Sequence, residues 1–352
     1  MKENAKALIA MSGGVDSSVA LHLMQKEGFD CLGVTMKLYE IESGCASSSA
    51  ANDGAAVAAH FGIPFEVLDY SEAFRCEVMD SFAETYMAGK TPNPCIECNA
   101  TMKFGRLMEC RAKKDCDCLV TGHYARVEYD EEKSRYLLKK GLDETKDQSY
   151  VLYRLKAEDL PFIRFPLGKY SKSEIREIAE NLGLFNAKKK DSQDICFVPD
   201  GDYASFIEKY TGKSFPEGEF VTGDGTVLGT HKGIIRYTIG QRKGLGLSLP
   251  APLYVCEKRM DTNQVVLCSN EELFTDTLYA EALNWIAFDA PKEAFHCKAK
   301  VRYKQKEADA YVEPLPDGTV KVVFTEPQRG ITPGQAVVFY EEDIVLGGGR
   351  IM

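Results

Sequence analysis

The sequence predicts an α/β protein in which an N-terminal doubly wound parallel sheet is followed by a small central domain and a C-terminal β-barrel. Through about residue 190, apolar runs of strand length alternate with helical patterns, which is typical of a parallel sheet covered by helices. From about residue 214, short alternating runs are separated by turn dipeptides such as Asp224-Gly225, which favour hairpins and a barrel. Because 352 residues exceed one ordinary core, we expect domains at 1–200, 201–275 and 276–352.

The N-terminal elements follow one another in a regular order. Residues 5–11 form an apolar run of strand length, and Val15, Val19 and Leu23 recur at helical spacing up to Gly28. A strand, a tight turn and a helix therefore open the chain. The same reasoning predicts strands at 31–36, 65–68 and 117–122, a helix ending near Gly62, helices at 71–88, 99–112 and 172–184, and a hairpin over 124–141.

The composition excludes several classes of protein. The chain is 44% hydrophobic and 27% charged, has no apolar run of membrane-spanning length, and opens with an apolar run too short for a signal sequence. We therefore expect a cytoplasmic protein with no membrane partner, whose twelve cysteines are reduced thiols. The net charge of −10 argues against a general coat of basic residues, but it leaves room for a local basic face.

The stretch Ser12-Gly13-Gly14 joins the first predicted strand to the first predicted helix. Glycines let backbone N–H groups approach a ligand, and the helix directs its unpaired N–H groups to the same place, which favours phosphate. Serine hydroxyls add donors, and Asp16 is expected to orient a metal ion that offsets the phosphate charge. No lysine follows the glycines, which excludes a Walker A loop. The alternative is a simple turn in which Asp16 caps the helix.

Two cysteines are expected to lie in polar loops, away from any periodic apolar face. Cys98 belongs to the stretch TPNPCIECN, in which the amides of Asn93 and Asn99 are suited to read the edge of a base. Cys196 follows the basic run 188–190, which favours a thiolate. We expect these two thiols to be functional, and leave Cys45 unassigned. Packing as small, buried residues is expected for Cys31, Cys76, Cys110, Cys116, Cys118, Cys256, Cys268 and Cys297.

A row of basic residues alternates strictly with other residues in the segment HCKAKVRYKQKEADAYV. If the segment is a strand, these side chains share one face and form a row of positive charge suited to a polyanionic backbone. The alternative is a solvated strand edge protected by lysines. A nearby glycine-rich stretch, IRYTIGQRKGLG, adds Arg236, Arg242 and Lys243. The row consists of Lys298, Lys300, Arg302, Lys304 and Lys306.

Eight motifs together resemble the bacterial tRNA-specific 2-thiouridylases, a family of ATP pyrophosphatases with a pyrophosphate-binding loop, over essentially the whole chain. They occur in the family's order: SGGVDSS, TPNPCIECN, TGHYAR, KDQSY, DSQDICF, YTIGQRKGLG, KVRYKQ and TPGQAVVFY. The resemblance implies an adenine-nucleotide-hydrolase-like first domain. It also implies an enzyme that adenylates the C2 oxygen of the wobble uridine with ATP and Mg²⁺, then introduces sulfur from a cysteine persulfide. The implied partners are the anticodon region of tRNA and a persulfide sulfur-carrier protein.

The resemblance also implies roles for individual residues. Cys98 matches the nucleophile, and Cys196 matches the cysteine that carries the persulfide. ATP binding is implied for Ala10, Met11, Ser12, Gly13, Gly14, Val15, Asp16, Ser17, Met36 and Gly122. Contact with tRNA or its target base is implied for Asn93, Pro94, Cys95, His123, Lys146, Asp147, Gln148, Arg302, Tyr303 and Gln335.

The chain departs from the family's pattern at Cys95, where some members carry an aspartate. A carboxylate there assists proton transfer more readily than a thiol does at neutral pH. Cys95 is either a silent variant or, with Cys98 and Cys196, one of three ligands of an iron–sulfur cluster with an open iron position. Two other functions stay open on the residues alone: an amide-forming ATP pyrophosphatase acting on a small metabolite, and a nucleotide-sensing RNA-binding protein without chemistry.

Overall fold

The computed structural model describes residues 5–39, 46–189 and 194–352, with the backbone alone at 46–49. Strands and helices alternate in its N-terminal part as predicted. The strands are β1 (Lys6–Ala10), β2 (Asp30–Lys37), β3 (Phe65–Asp69), β4 (Cys118–Val120), β5 (Ala125–Asp130), β6 (Arg135–Lys140) and β7 (Ile163–Arg164). The helices are α1 (Val15–Lys26), α2 (Ala46–Phe61), α3 (Ser71–Phe74), α4 (Ser81–Met87), α5 (Pro94–Glu97), α6 (Leu107–Lys113) and α7 (Lys172–Asn181). Short 3₁₀ turns lie at Ser149–Leu152, Ala157–Phe162 and Pro166–Lys169.

Five of these strands form a parallel sheet in the order β3-β2-β1-β4-β7. Neighbouring residues of β1 enter two different cores: Leu8 packs in one with Val34, whereas Ala7 and Ile9 pack in the other with Val19 of α1. Successive side chains of a strand point to opposite faces, so a sheet covered on both faces needs strands that are apolar throughout. The predicted doubly wound sheet is therefore confirmed.

Two helices of this part contain π-helical segments. Arg75–Asp80 connects α3 to α4, and Cys98–Arg106 connects α5 to α6. The second helix begins before its predicted start at residue 99, because Pro94 occupies its first turn and Asn93 Oδ1 accepts a hydrogen bond from Cys95 N at 3.2 Å. The expectation that Cys98 lies in a polar loop is therefore wrong: Cys98 lies on a helix, where the π-helical segment begins.

The central part contains one helix and a small sheet. Helix α8 (Tyr203–Thr211) precedes the strands, and the sheet order is β10-β11-β8-β9. Its core includes Phe220 and Val255, together with Phe74 and Phe82 from the N-terminal helices. This shared core packs the central sheet against the helices near Cys98. The strands are β8 (Gly218–Val221), β9 (Val227–His231), β10 (Tyr254–Arg259) and β11 (Gln264–Cys268), with 3₁₀ turns at Ile234–Arg236 and Glu271–Leu273.

The C-terminal strands close into the predicted antiparallel barrel. The sheet runs β12-β15-β14-β13-β16-β17, and an additional pairing of β12 with β17 closes it. The β5-β6 hairpin extends this sheet through the pairing of Ile344 with Lys139. Among the described residues, every helix is too short or too polar to span a bilayer. The strands are β12 (Phe274–Trp285), β13 (Phe295–Lys300), β14 (Ala308–Pro314), β15 (Val320–Arg329), β16 (Ala336–Glu341) and β17 (Ile344–Ile351).

The row of basic residues does not run along a single strand. β13 ends at Lys300, and the next residues turn, with Gln305 N donating to Arg302 O at 3.1 Å. Arg302 leaves the alternation because its guanidinium points to the carbonyl oxygens of Ile239 and Gly330, at 3.2 and 2.6 Å. The predicted single face of five cations is therefore wrong: Lys298 and Lys300 belong to the strand, and the other three do not.

Candidate active site

The loop over residues 11–14 connects β1 to the N-terminus of α1. Gly14 is the residue that precedes the helix, so Asp16 lies in the first helical turn, and the alternative in which Asp16 caps a simple turn is wrong. Gly13 has a φ of +69°, and a Cβ there would lie 2.5 Å from the Cβ of Asp53, so the loop requires glycine. The unpaired N–H groups of a helix of 12 residues lie directly behind this loop, an arrangement suited to phosphate.

The serine hydroxyls of the loop stabilise the loop itself. Ser17 Oγ and Ser18 Oγ donate to Gly14 O at 3.1 and 3.0 Å. The side-chain amide of Asn186, which is buried, donates to Gly13 O at 3.1 Å and to Ser18 Oγ at 3.0 Å. Each hydroxyl has one proton, so the expectation that Ser17 and Ser18 add free donors for a ligand is wrong in this structure. The sequence did not indicate Asn186, because its contact with Gly13 O joins residues that are 173 positions apart in the chain.

The carboxylate of Asp16 is bound by side chains from two other elements. Lys172 Nζ lies 2.8 Å from both of its oxygens, and Tyr124 Oη donates to Oδ1 at 2.8 Å. Lys172, at the start of α7, is a buried cation that the sequence did not indicate. Asp16 is therefore paired with an ammonium, in contrast to the expected free carboxylate that orients a metal ion.

The other residues implied for ATP binding surround the same loop. A Cβ on Gly122 would lie 2.9 Å from Ser17 N, so this glycine contacts the backbone at the start of α1. Ala10 ends β1, Met11 N donates to Val34 O at 2.8 Å, and Met36 lies half-buried on the neighbouring β2. The structure therefore brings Gly122 to the loop and Met36 onto the adjacent strand.

Cys95, Cys98 and Cys196, here called the cysteine cluster, lie close enough together for their charges to interact. Cys95 and Cys98 come from the helix that begins at Pro94. Cys196 is held by its neighbour Phe197, whose ring packs edge-on against the rings of two helix residues, Phe74 and Phe82, with centroids 5.7 and 5.3 Å apart. The two thiols expected to be functional therefore converge, although they are far apart in the chain.

A tyrosine also contacts the cluster. The hydroxyl of Tyr39 donates to the backbone oxygen of Cys196. Desolvation, followed by the charge of the Cys196 thiol, raises the pKa of Tyr39 to about 12, so Tyr39 is a neutral hydrogen-bond donor at neutral pH. The sequence did not indicate Tyr39, because it lies just after the end of β2 at Lys37, in a segment that has no motif of its own.

The surroundings of the cysteine cluster oppose ionisation. Desolvation by the surrounding protein raises the pKa of all three thiols, and for Cys196, an exposed residue, the charges of Cys98 and Cys95 add to bring it to about 12. The cation that lowers all three pKa values is Lys103. Of the run 188–190, Lys189 pairs with Asp53 at 2.7 Å, whereas residue 190 lies outside the described residues, as does Cys45.

Lys103 is connected to a neutral histidine. Its Nζ lies 3.4 Å from Nε2 of His123, whose Nδ1 lies 2.6 Å from Thr121 Oγ1. Burial, and then the charge of Lys103, hold the pKa of His123 well below its usual value, so the ring is neutral at pH 7. A neutral ring that faces an ammonium accepts through Nε2 and donates through Nδ1. His123, implied to contact tRNA, is 7% exposed and contacts Lys103 instead.

The segment before the cysteine cluster is held by the barrel. Gln335 Nε2 donates to Thr91 O at 2.9 Å and to Pro92 O at 3.3 Å, and Thr91 N donates to the backbone oxygen of Pro333 at 2.9 Å. Asn93 follows directly, with its side-chain oxygen used at the helix N-terminus, and Pro94 is buried. Gln335 therefore acts on the position of the residues implied to lie beside the target base.

Other residues implied for tRNA contact lie at the rim of the cluster. Tyr303 Oη donates to Asp147 O at 3.1 Å, and the charge of the Cys95 thiol raises the pKa of Tyr303 in addition to desolvation and Asp147. Gln148 Oε1 accepts from Tyr124 N at 2.9 Å, and Lys146 is half-buried. Tyr303, Asp147 and Cys95 therefore gather at one rim, although they come from the barrel, a connecting segment and a helix.

Three further residues are placed differently from their sequence-based expectation. Arg302 is turned inward, and its guanidinium also donates to Thr332 Oγ1 at 2.8 Å. Asn99 is buried and its amide donates to Val151 O at 3.1 Å, so the expectation that Asn99 reads a base edge is wrong in this structure. Cys76 is exposed, and the expectation that it is buried is wrong. Neither Arg302 nor Asn99 offers a side chain directed at the cluster.

Within the described residues, no three His, Cys, Asp or Glu side chains are placed to hold a metal ion. The three thiols of the cysteine cluster are desolvated, and among the described residues Lys103 is the cation whose charge acts on all of them. The residues in place therefore favour thiol chemistry.

Known proteins match the chain from end to end. Three family patterns match in order: the tRNA methyl transferase HUP domain at residues 5–200, the tRNA methyl transferase PRC-barrel domain at 204–269, and the aminomethyltransferase beta-barrel domain at 275–351. The tRNA-specific 2-thiouridylase MnmA 1 of Thermoanaerobacter pseudethanolicus is 50% identical, over 100% of this chain and 99% of that protein. The tRNA-specific 2-thiouridylase MnmA of Clostridioides difficile is 48% identical, over 99% and 98%.

A solved structure offers a weaker likeness. The U34-tRNA thiolase NcsA from Methanococcus maripaludis, with its [4Fe-4S] cluster, is 17% identical with a TM-score of 0.37, over 59% of this chain and 68% of that chain. A likeness of this size carries no argument about a cluster in this chain.

Proposed function

The chain belongs to the family of tRNA-specific 2-thiouridylases and is a tRNA sulfurtransferase, and from this premise we propose how its own residues carry out the reaction. The observation that supports the proposal is a continuous connection between two sites. Gly122 contacts the nucleotide loop at Ser17, and the next residue, His123, contacts Lys103, whose charge acts on the cysteine cluster. The segment at residues 122–123 therefore connects the proposed nucleotide site to the cysteine cluster.

The first step activates the target base. The C2 oxygen of the wobble uridine attacks the α-phosphorus of ATP held by residues 11–14 and the N-terminus of α1. An oxygen–phosphorus bond forms, the bond to pyrophosphate breaks, and the N3 proton of the base is lost. Mg²⁺ accompanies ATP and offsets its phosphate charge. The base now carries AMP as a good leaving group.

The second step exchanges oxygen for sulfur. Cys196, loaded as a persulfide, attacks C2 with its outer sulfur, and AMP leaves with the C2 oxygen. The Cys98 thiolate then attacks the Cys196 sulfur, the persulfide S–S bond breaks, and its electron pair stays on the sulfur bound to C2. The products are 2-thiouridine and a Cys98–Cys196 disulfide, which a thiol reductant reopens. This sequence requires two thiols within reach of each other, as the cysteine cluster supplies.

The partners and the compartment follow from the same chemistry. A protein persulfide donor of the sulfur-carrier class loads Cys196, which is exposed. The anticodon region of tRNA meets the rim at Tyr303 and Cys95. The eleven cysteines that the structure describes are all free thiols, which suits the reducing cytoplasm and the need to regenerate the thiols after each turnover.

The deciding experiment is thiolation in vitro. Purified protein, ATP, Mg²⁺, a persulfide donor and unmodified tRNA are incubated, and 2-thiouridine is measured by mass spectrometry of digested tRNA. We expect Cys98→Ser and Cys196→Ser each to abolish thiolation, whereas both variants still release pyrophosphate in the presence of tRNA, because adenylation precedes sulfur transfer. Cys76→Ser is the matched control, because this thiol is exposed and lies outside the cluster.

The outcome separates the proposed roles from their alternatives. A Cys98→Ser or Cys196→Ser protein that still thiolates tRNA contradicts the roles given to those residues. Pyrophosphate release that needs no tRNA points to a small-metabolite substrate instead. Iron and sulfide analysis after anaerobic purification, with full activity in iron-free protein, removes the iron–sulfur alternative.

A further inference from the structure

We propose that Lys103 is a positioning residue of the sulfur-transfer step, whose ammonium, anchored by neutral His123, stabilises anionic sulfur on Cys98 and on the Cys196 persulfide. The inference rests on the proposed function for its role in catalysis. The placement of the Lys103 ammonium near the cysteine thiols does not depend on that function. No role for Lys103 is implied by the motifs or by the composition.

The helix that carries Lys103 is wound so that Lys103 and Cys98 lie on the same side of it. In an α-helix, a residue five positions after Cys98 is rotated by about 140° and faces away from it. The segment Cys98–Arg106 is π-helical, so hydrogen bonds join residues five apart and bring Lys103 back to the side of Cys98. The unusual winding therefore places the cation beside the thiol.

The ammonium of Lys103 contacts a neutral side chain. Lys103 Nζ lies 3.4 Å from His123 Nε2, and in the part of the chain that the structure describes it forms no ion pair with a carboxylate. Since His123 is neutral, it orients the ammonium without neutralising it. The positive charge thus remains available to the cysteine cluster.

The cysteine cluster needs a nearby positive charge, because sulfur transfer requires a thiolate. All three thiols of the cluster are desolvated, which disfavours the thiolate that must attack. Lys103 is the cation that acts on each of them in the opposite direction. When Cys98 attacks the Cys196 sulfur, the negative charge moves from Cys98 to the departing sulfur. A cation shared by both cysteines stabilises the start and the end of that transfer.

The test measures the ionisation of Cys98 without relying on turnover. The full-length protein is alkylated with iodoacetamide from pH 6.5 to 10.5, and modification of the Cys98 peptide is followed by mass spectrometry. We expect Lys103→Met to raise the midpoint of the pH profile by about one unit, because it removes a neighbouring opposite charge. At pH 8 this corresponds to roughly tenfold slower alkylation. Lys103→Arg, which keeps the charge, should stay within about 0.3 unit of the wild type.

Controls distinguish a local charge effect from a loss of structure. Lys113→Met removes an exposed lysine at the far end of the same helix and should leave the Cys98 profile unchanged. Lys103→Gln is a second neutral variant for the case in which methionine at this position prevents folding. Circular dichroism and thermal unfolding verify that each variant is folded.

The results either support or overturn the inference. A Lys103→Met or Lys103→Gln profile that coincides with the wild type overturns it, and so does a Lys103→Arg shift as large as that of the neutral variants, because the effect would then not be one of charge. If the wild type fails to thiolate tRNA, the proposed function is refuted while the alkylation profile still decides whether Lys103 acts on Cys98. If the wild type thiolates and the profiles coincide, the function stands and the role of Lys103 is refuted.

Discussion

Gly122 and Ser17 approach so closely that no side chain fits between them: a Cβ on Gly122 would lie 2.9 Å from Ser17 N. Gly122→Ala should therefore displace the start of α1 or the segment 121–123, at a cost of about 1–3 kcal/mol for overpacking. We expect ATP binding, measured by calorimetry, to weaken at least about tenfold.

Gly223→Ala provides the matched control for this change. Its Cβ would enter open space, and the residue has no positive φ, so ATP affinity should not change. Wild-type ATP affinity in Gly122→Ala would show that the segment after β4 does not contribute to the nucleotide site.

Asn186 stabilises the nucleotide loop through its two donated hydrogen bonds. Asn186→Ala leaves Gly13 O without its side-chain partner and should lower the free energy of unfolding by about 1–3 kcal/mol, as for a buried polar group that loses its partner. Urea unfolding measures this change, and ATP titration should show weaker binding. Asn181→Ala, at an exposed position at the end of α7, serves as the control, and an equal loss in both variants would remove any special role for Asn186.

Because Lys172 and Asp16 form an ion pair, we expect substitutions of the two residues to have coupled effects on the free energy of unfolding. Lys172→Met leaves the carboxylate of Asp16 without its cation and should destabilise the protein by about 1–3 kcal/mol. Asp16→Asn in the same background should recover part of that loss, because the unpaired charge is gone. A double-mutant cycle in urea measures the coupling. Additive effects of the two substitutions would mean that the pair does not act as a unit.

Because His123 is held neutral in the folded protein, we expect the stability of the protein to depend on pH. Its pKa lies well below 6.5 in the folded protein, so the unfolded chain binds the proton first and stability falls as the pH decreases from 6.5 towards the folded value. Between pH 7 and 5.5, the wild type should lose up to about 1.4 kcal/mol more per pH unit than His123→Gln. Urea unfolding at several pH values measures the difference.

Two other histidines do not obscure this comparison. His22 and His231 also have lowered pKa values, mainly through burial, and they contribute equally in both proteins. Parallel stability curves for wild type and His123→Gln would show that His123 titrates normally and is not held neutral against Lys103.

The sequence alone was sufficient for the order of elements and for the residues that belong to motifs. Apolar runs and turn residues mark β1, α1 and the parallel sheet, because their periodicities follow from backbone geometry. Ser12-Gly13-Gly14 indicated the tight turn between β1 and α1 because the requirement for glycine is local: Gly13 adopts a positive φ. Cys98 and Cys196 were singled out by their polar neighbours and by motifs, without information on the distance between them.

Only the tertiary structure decided which charges meet. The partner of Asp16 is Lys172, and a cation whose charge acts on Cys98 and Cys196 is Lys103, whereas Lys189 of the basic run pairs with Asp53. Both outcomes depend on long-range packing, and that of Lys103 also on π-helical winding, which an α-helical period of 3.6 residues does not anticipate. Electrostatic interactions depend on distance and desolvation in the folded chain, and neither quantity is encoded in the spacing of residues along it.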